Sequence, residues 1–205
     1  MPNMKDMRSR IGLLGGTFDP PHRGHLALAA AAQEQLALDE VRFLPVGDPP
    51  HKQDRKVTAV SHRVNMVQLI IANHPHYYLD ESDIYRPRPH STASLLPLLR
   101  QQHPDADFWL IIGADSLRDL PTWHDPDDIV KQCRLAVLAR PSVVLDWNWL
   151  KTAVSGLQTA VDFLSPPHFS VSSTAIRRRV REGGEICDVV ETAVCDYIRE
   201  NQLYA

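Results

Sequence analysis

An α/β fold, built as an open parallel sheet with helices on both faces, follows from three observations on this sequence. Short continuous apolar runs, of which Phe108-Trp109-Leu110-Ile111-Ile112 is the fullest, have the length of strands buried on both faces. Between them lie longer segments rich in Ala and Leu, or with apolar residues at helical spacing. The two kinds alternate along the chain, as strands joined by crossover helices must. With 205 residues, 43% of them hydrophobic, the chain can fill one good core. Residues 11–205 are therefore expected to form one domain, ending in a small helical part, after a flexible segment at 1–10.

Taken in order, Ile11 to Leu14 is the first strand. Gly15-Gly16-Thr17-Phe18-Asp19-Pro20-Pro21-His22-Arg23-Gly24-His25 follows as a loop, where paired glycines allow a sharp turn and two prolines keep the chain out of helix until just before His22. Leu26 to Leu38 is helical and Val41 to Pro45 a second strand. Gly47 to Lys56 is a loop by composition. Ser61 is placed to cap a helix running to Asn73. Tyr77 to Leu79 is a short strand, and Ser91 to Gln102 a helix in which Pro97 marks a kink or a late start. The run 108–112 ends at Gly113. Leu135 to Ala139 is the next strand, ending at Arg140-Pro141. Residues 143–157, with Trp147 and Trp149, carry no legible period. Ser172 or Ser173 caps a helix opening at about Thr174, with Ile176 and Val180 facing the core. Val189 to Asn201 forms a last helix, with Val190, Val194, Tyr197 and Ile198 on one side.

Composition excludes several function classes. A net charge of −3 gives no electrostatic reason to expect nucleic acid as the partner. No run reaches membrane-spanning length, and the apolar stretch after Arg10 is too short for a signal peptide. Cys133, Cys187 and Cys195 are odd in number and lack C-x-x-C spacing, which points to buried or free thiols in a reducing cytoplasm.

The chemistry concentrates in the first loop. His22 and His25, three apart, share one face of a helical first turn, beside unpaired main-chain N–H groups and the positive end of the helix dipole. Such a site suits anionic oxygens, most naturally phosphate. A bare H-x-x-H pair is more often two solvated histidines or a metal pair; the preceding strand and G-G-T-F-D-P-P reverse those odds. Neither G-x-x-x-x-G-K-[ST] nor G-x-G-x-x-G occurs, so the two commonest phosphate grips are absent. Near the far end, Ser172-Ser173-Thr174 followed by Arg177 puts hydroxyls, amides and a guanidinium around one anion. Arg178, Arg179 and Arg181 read as a solvated helix face.

The string G-G-T-F-D-P-P-H-x-G-H resembles the H-x-G-H nucleotidyltransferase superfamily, and within it the bacterial nicotinate-nucleotide adenylyltransferase family. Ser172 to Arg177 resembles that family's second signature. Pro49-Pro50-His51-Lys52, Ile111 to Leu117 with Pro121-Thr122-Trp123, Arg140-Pro141 and the region 197–204 extend the likeness over most of residues 11–205. Arg86 to Thr92 departs from it, with Ser91 where the family carries tyrosine. The resemblance implies a Rossmann-like nucleotidylyl transferase fold. It also implies transfer of the adenylyl group of ATP to nicotinate mononucleotide, giving nicotinate adenine dinucleotide and pyrophosphate in NAD biosynthesis.

Adenylyl transfer needs two anionic groups aligned and the growing charge neutralised, not a strong base, because the attacking phosphate is already an anion. His22, His25, Lys52 and Arg177 are the expected catalytic residues. The resemblance assigns ATP to Gly15, Gly16, Thr17, Phe18, Gly113, Asp115, Ser172, Ser173, Thr174 and Ile176, and the acceptor to Asp19, Arg86, Thr92, Trp123 and Arg140. Helix capping by Asp115 and core packing by Trp123 compete with those roles. Mg²⁺ is expected with ATP, held by phosphates and water, with no metal ligands from the protein. The partners expected are the two small substrates; no nucleic acid and no membrane enter, and a homo-oligomer stays open. Phosphopantetheine adenylyltransferases and glycerol-phosphate cytidylyltransferases share the H-x-G-H chemistry, but F-D-P-P-H and I-I-G-A-D-S-L…P-T-W argue against both. A tRNA synthetase is excluded by size. Transfer to nicotinamide mononucleotide or another phosphorylated acceptor is the alternative. A nucleotide sensor without turnover has no use for all four catalytic candidates.

Overall fold

The computed structural model describes residues 8–47, 57–87, 90–139, 143–165 and 171–205. The first half of the chain folds as β1 (Ser9–Gly16), α1 (Arg23–Leu36), β2 (Glu40–Pro45), α2 (Val60–Ile71), β3 (Tyr77–Leu79), α3 (Ser82–Tyr85) and α4 (Thr92–Gln102). The second half gives β4 (Ala106–Gly113), α5 (Ala114–Asp119), a 3-10 turn at Leu120–Thr122, α6 (Pro126–Gln132) and β5 (Arg134–Leu138). It closes with α7 (Trp147–Ala153), α8 (Leu157–Ala160), β6 (Val161–Leu164), α9 (Ser173–Arg181) and α10 (Thr192–Glu200).

All the strand pairs are parallel, in the order β3-β2-β1-β4-β5-β6. The chain builds outward from β1 through β3, then returns to lay β4 on the other flank of β1. Period-two alternation divides the strand residues between two cores. Ile11 and Leu13, Phe108 and Leu110, and Leu135 and Val137 face α4, α6, α7 and α8. Leu14, Trp109 and Ile111, and Ala136 and Leu138 face α1, α2, α9 and α10. A sheet buried on both faces explains why its strands read as unbroken apolar runs.

Several elements differ from the sequence expectation. β1 starts at Ser9, because Arg10 is held by its side chain as well as its main chain: its N–H donates to Asp39 Oδ2 at 2.7 Å and its guanidinium lies over Trp109. α2 starts at Val60 with Ala59 in the cap position, so Ser61 lies inside the helix. α4 runs through Pro97, and Ser91 caps it by accepting from Ser94 N–H. Residues 143–157, which lacked a legible period, supply α7 and the start of α8. The unforeseen β6 is an edge strand fastened by Asp162, which accepts two bonds from Arg134 at 2.7 Å each and one from Trp109 Nε1 at 3.0 Å. The expectation of buried or free thiols holds for Cys133 alone: Cys187 and Cys195 form a disulfide, the segment between them turning back to bring their Cα atoms within 5.5 Å. Among the described residues, no helix is long and apolar enough to cross a membrane.

Candidate active site

In an open sheet of this order, the crevice for ligands lies beyond the carboxyl ends of the strands where the order reverses, here between β1 and β4. β1 ends there in Gly15 and Gly16, and β4 in Gly113. A side chain on Gly15 would meet nothing within 4 Å, so the main chain is open to a ligand at that point. Phe18 takes the left-handed conformation at φ 50°, unusual for a bulky residue. Its ring is buried at 1% exposure and meets His25 edge-on at 4.9 Å. The expected ATP contact from Phe18 therefore falls to its main chain, while the ring backs the histidine. The Asp19–Pro20 peptide is cis.

His22 caps α1 and His25 is its third residue, their rings 3.8 Å apart between centroids. Between them, any side chain on Gly24 would come within 2.8 Å of His22 Nδ1, which is what the glycine of H-x-G-H prevents. His22 N–H donates to His25 Nδ1 at 3.1 Å. That bond makes Nδ1 the acceptor and leaves the proton of the neutral ring on Nε2, free to donate to a ligand. Burial lowers the pKa of His22 to about 4, offset only partly by a backbone hydrogen bond. Burial, and then the neighbouring His22 charge, holds His25 well below the usual imidazole range. At neutral pH both rings are thus uncharged in the free protein, and act as donors, not cations.

The far signature folds onto this loop. Ser172 caps α9 by accepting from Ala175 N–H at 3.2 Å. Ser173 Oγ donates to Pro20 O at 2.8 Å, and Arg177 donates to Asp19 O at 2.6 Å and to Thr174 Oγ1 at 3.3 Å. Ile176 is fully buried, so its side chain belongs to the core and not to a nucleotide. Gly113 caps α5, which rules out that role for Asp115, the second residue of the helix.

Two acceptor candidates are engaged elsewhere. Asp19 Oδ1 accepts from Tyr204 Oη at 2.7 Å, and Arg86 is buried with bonds to Asp83, Ser94 Oγ and Ser91 O. Its location at the junction of α3 and α4 makes Arg86 a brace for the start of α4, where Thr92 is the first residue. Trp123 follows the 3-10 turn, with its ring half-buried against the core that the sheet shares with α4, α6, α7 and α8. Lys52 and Arg140 lie outside the described residues.

Sequence reasoning missed Arg63, whose buried guanidinium donates to Thr17 O at 2.8 Å, and met Tyr204 only within the 197–204 likeness, without a role; burial, with the Asp19 charge, raises the Tyr204 pKa. A charged residue on the inward side of the 61–73 helix was the available signal for Arg63. Arg23 ties α1 to the segment before α10, through its N–H to Val189 O at 3.0 Å and its Nε to Glu191 at 3.2 Å. Among the described residues, no group of three or more His, Cys, Asp or Glu is arranged to hold a metal.

The cytidylyltransferase-like family model matches residues 13–179. A probable nicotinate-nucleotide adenylyltransferase of Thermomicrobium roseum is 41% identical over 196 residues, covering 96% of this chain and 92% of the relative. One from Bacillus pumilus is 38% identical over 195 residues, covering 95% and 98%. The solved structure of Plasmodium falciparum nicotinic acid mononucleotide adenylyltransferase complexed with NaAD has the same fold, with a TM-score of 0.77 at 20% identity and 96% of this chain covered.

Proposed function

The chain belongs to the cytidylyltransferase-like family, among the nicotinate-nucleotide adenylyltransferases, and from that premise we propose how its residues divide the work. The reaction joins the 5′-phosphate of nicotinate mononucleotide to the α-phosphorus of ATP and expels pyrophosphate, the dinucleotide-forming step of NAD biosynthesis. His22 and His25 donate hydrogen bonds to the ATP phosphates, where negative charge grows as the phosphorus is attacked. Being uncharged, each donates through the one N–H of a neutral ring. Arg177 and Lys52 supply the positive charge on the triphosphate side. The main chain of Gly15 to Phe18 and the hydroxyls of Ser172 and Thr174 hold the nucleotide, with Ser173 serving it by tying α9 to Pro20, while Gly113 and Asp115 take the adenosine. Trp123 and Thr92 are assigned to the acceptor, with Arg140; Asp19 and Arg86 serve it by bracing. Residues 11–205 act as one domain, and the cytoplasm, where ATP and mononucleotide meet, is the compartment we assign.

The residues fit Mg²⁺ as an ion that arrives on the triphosphate, since the site offers hydrogen-bond donors and, among the described residues, no carboxylate cage. Bound there, it would draw charge from the phosphate oxygens.

The observation that carries this reading is the bonding of Ser173 and Arg177 to Pro20 and Asp19, which joins two distant signatures beside the histidine pair. Pyrophosphate release from MgATP, measured with a panel of phosphorylated acceptors, tests it. A donor-rich pocket satisfies the carboxylate of nicotinate mononucleotide, whereas the amide of the nicotinamide form leaves a donor unpaired at about 1–3 kcal/mol. The expected preference is about ten- to a hundredfold in kcat/KM. A preference for nicotinamide mononucleotide, or for phosphopantetheine, overturns the acceptor assignment.

A further inference from the structure

Arg63 is among the largest side chains wholly inside the protein, at 1% exposure. Buried arginines are ordinarily paired with a carboxylate. Among the described residues this one gives all its hydrogen bonds to main-chain carbonyls: Nε to Thr58 O at 3.0 Å, Nη1 to Thr17 O at 2.8 Å and Nη2 to Gly47 O at 3.4 Å. The three acceptors come from different places in the chain. Thr17 belongs to the loop after β1, Gly47 follows β2, and Thr58 precedes α2. Gly47 and Thr58 also flank the segment 48–56, so one guanidinium holds both of its ends to the first loop.

Peptide geometry gives this grip a direction. The carbonyl and the N–H of one trans peptide point opposite ways. With Thr17 O drawn inward to Arg63, the N–H of Phe18 must point away from the buried guanidinium. That N–H donates to no acceptor among the described residues. It stands on the loop that opens to the crevice, next to a residue fixed at φ 50°. Burial lowers the pKa of Arg63, and the nearby Asp19 carboxylate, which itself accepts from Tyr204, opposes that only in part.

We infer that Arg63 is a positioning residue for ATP. Its fork holds the Thr17 carbonyl inward and so presents the Phe18 N–H to a phosphate, while tying the loops at Gly47 and Thr58 to the same point. It acts through the main chain and does not touch the substrate. The planar fork is needed because a lysine ammonium, a single compact centre, cannot reach three carbonyls on separate segments.

This inference rests on the reading that the site binds ATP. Its test is the binding of the α,β-methylene analogue of ATP, by calorimetry, to wild type, Arg63→Lys and Arg63→Gln. Arg63→Lys keeps the charge and is the variant expected to fold where Arg63→Gln does not. The expected result is a Kd for the analogue weakened about tenfold or more in Arg63→Lys, the scale of one charge-assisted contact, with nicotinate mononucleotide bound within about twofold of wild type. Unchanged analogue binding in Arg63→Lys overturns the inference, and so does equal weakening of both ligands, which marks general loosening. The comparison is made on analogue Kd, so it stands apart from the transfer assay. A wild type that binds the analogue but transfers to no acceptor overturns the proposed reaction and not the role of Arg63.

Discussion

Acidification should destabilise this protein through the buried imidazole of His22. The ring of His22, 6% exposed, titrates at about 4 in the folded chain against 6.5 when solvated. Because the folded value is the lower, the unfolded chain takes up the proton first as the pH falls. The stabilisation from keeping His22 neutral is complete above about pH 6.5 and is lost on the way down to about pH 4. A gap of about 2.5 units is worth about 3.4 kcal/mol below both values, and about 2 kcal/mol at about pH 5. For a chain of this size 1 kcal/mol moves Tm by about 2–4 °C, so His22 alone should lower Tm by about 4–8 °C between about pH 8 and pH 5. His22→Gln has no proton to take up there. Calorimetric melts in phosphate-free buffer, which keeps the anion site empty, should give the variant a pH-induced fall in Tm smaller than that of wild type by this amount. All other titrating groups are common to both proteins; His25 alone changes setting, because the variant lacks the His22 charge that adds to burial in lowering its pKa. Equal falls in Tm would refute the argument that burial keeps the ring neutral.

Two kinetic predictions accompany it. His25→Ala should lower kcat by about 10²–10³, the scale of removing one donor to a transition-state charge, with a smaller change in KM for ATP; steady-state rates at saturating acceptor check it. Arg177→Ala should lose about 2 kcal/mol, or about thirtyfold in kcat/KM. Arg179→Ala breaks only a largely exposed pair with Asp188 and should stay within about 0.5 kcal/mol in stability and nearly silent in rate, so equal losses at the two positions would make the arginine run a diffuse basic patch.

What could be read from sequence was whatever local composition encodes. Apolar runs located β1 to β5, and the Gly-Gly and Pro-Pro pairs located the loop that carries His22 and His25. β6 escaped because Asp162 interrupts a four-residue edge strand whose Phe163 faces solvent, so neither alternation nor a continuous run survives. At the site, residue type was legible and partner was not. Arg86 has the charge of an anion binder, yet Asp83 claims it from three positions away. Phe18 and Ile176 lie inside the right strings, yet burial turns both side chains to the core. Arg63 was legible only as a charge on the inward side of its helix, because its partners are main-chain oxygens, which no sequence distinguishes.

The ties that complete the first loop span 153 positions from Ser173, 158 from Arg177 and 185 from Tyr204. Two come from α9 and the third from Tyr204, beyond α10, all outside the hydrogen-bonded sheet. Segments of that kind open at lower cost than the core. Warming or mild denaturant should therefore silence the enzyme while its far-UV spectrum is still native. A melting curve that reports the sheet will overstate the working life of a stored sample, and residual activity is the gauge that ages with the loop.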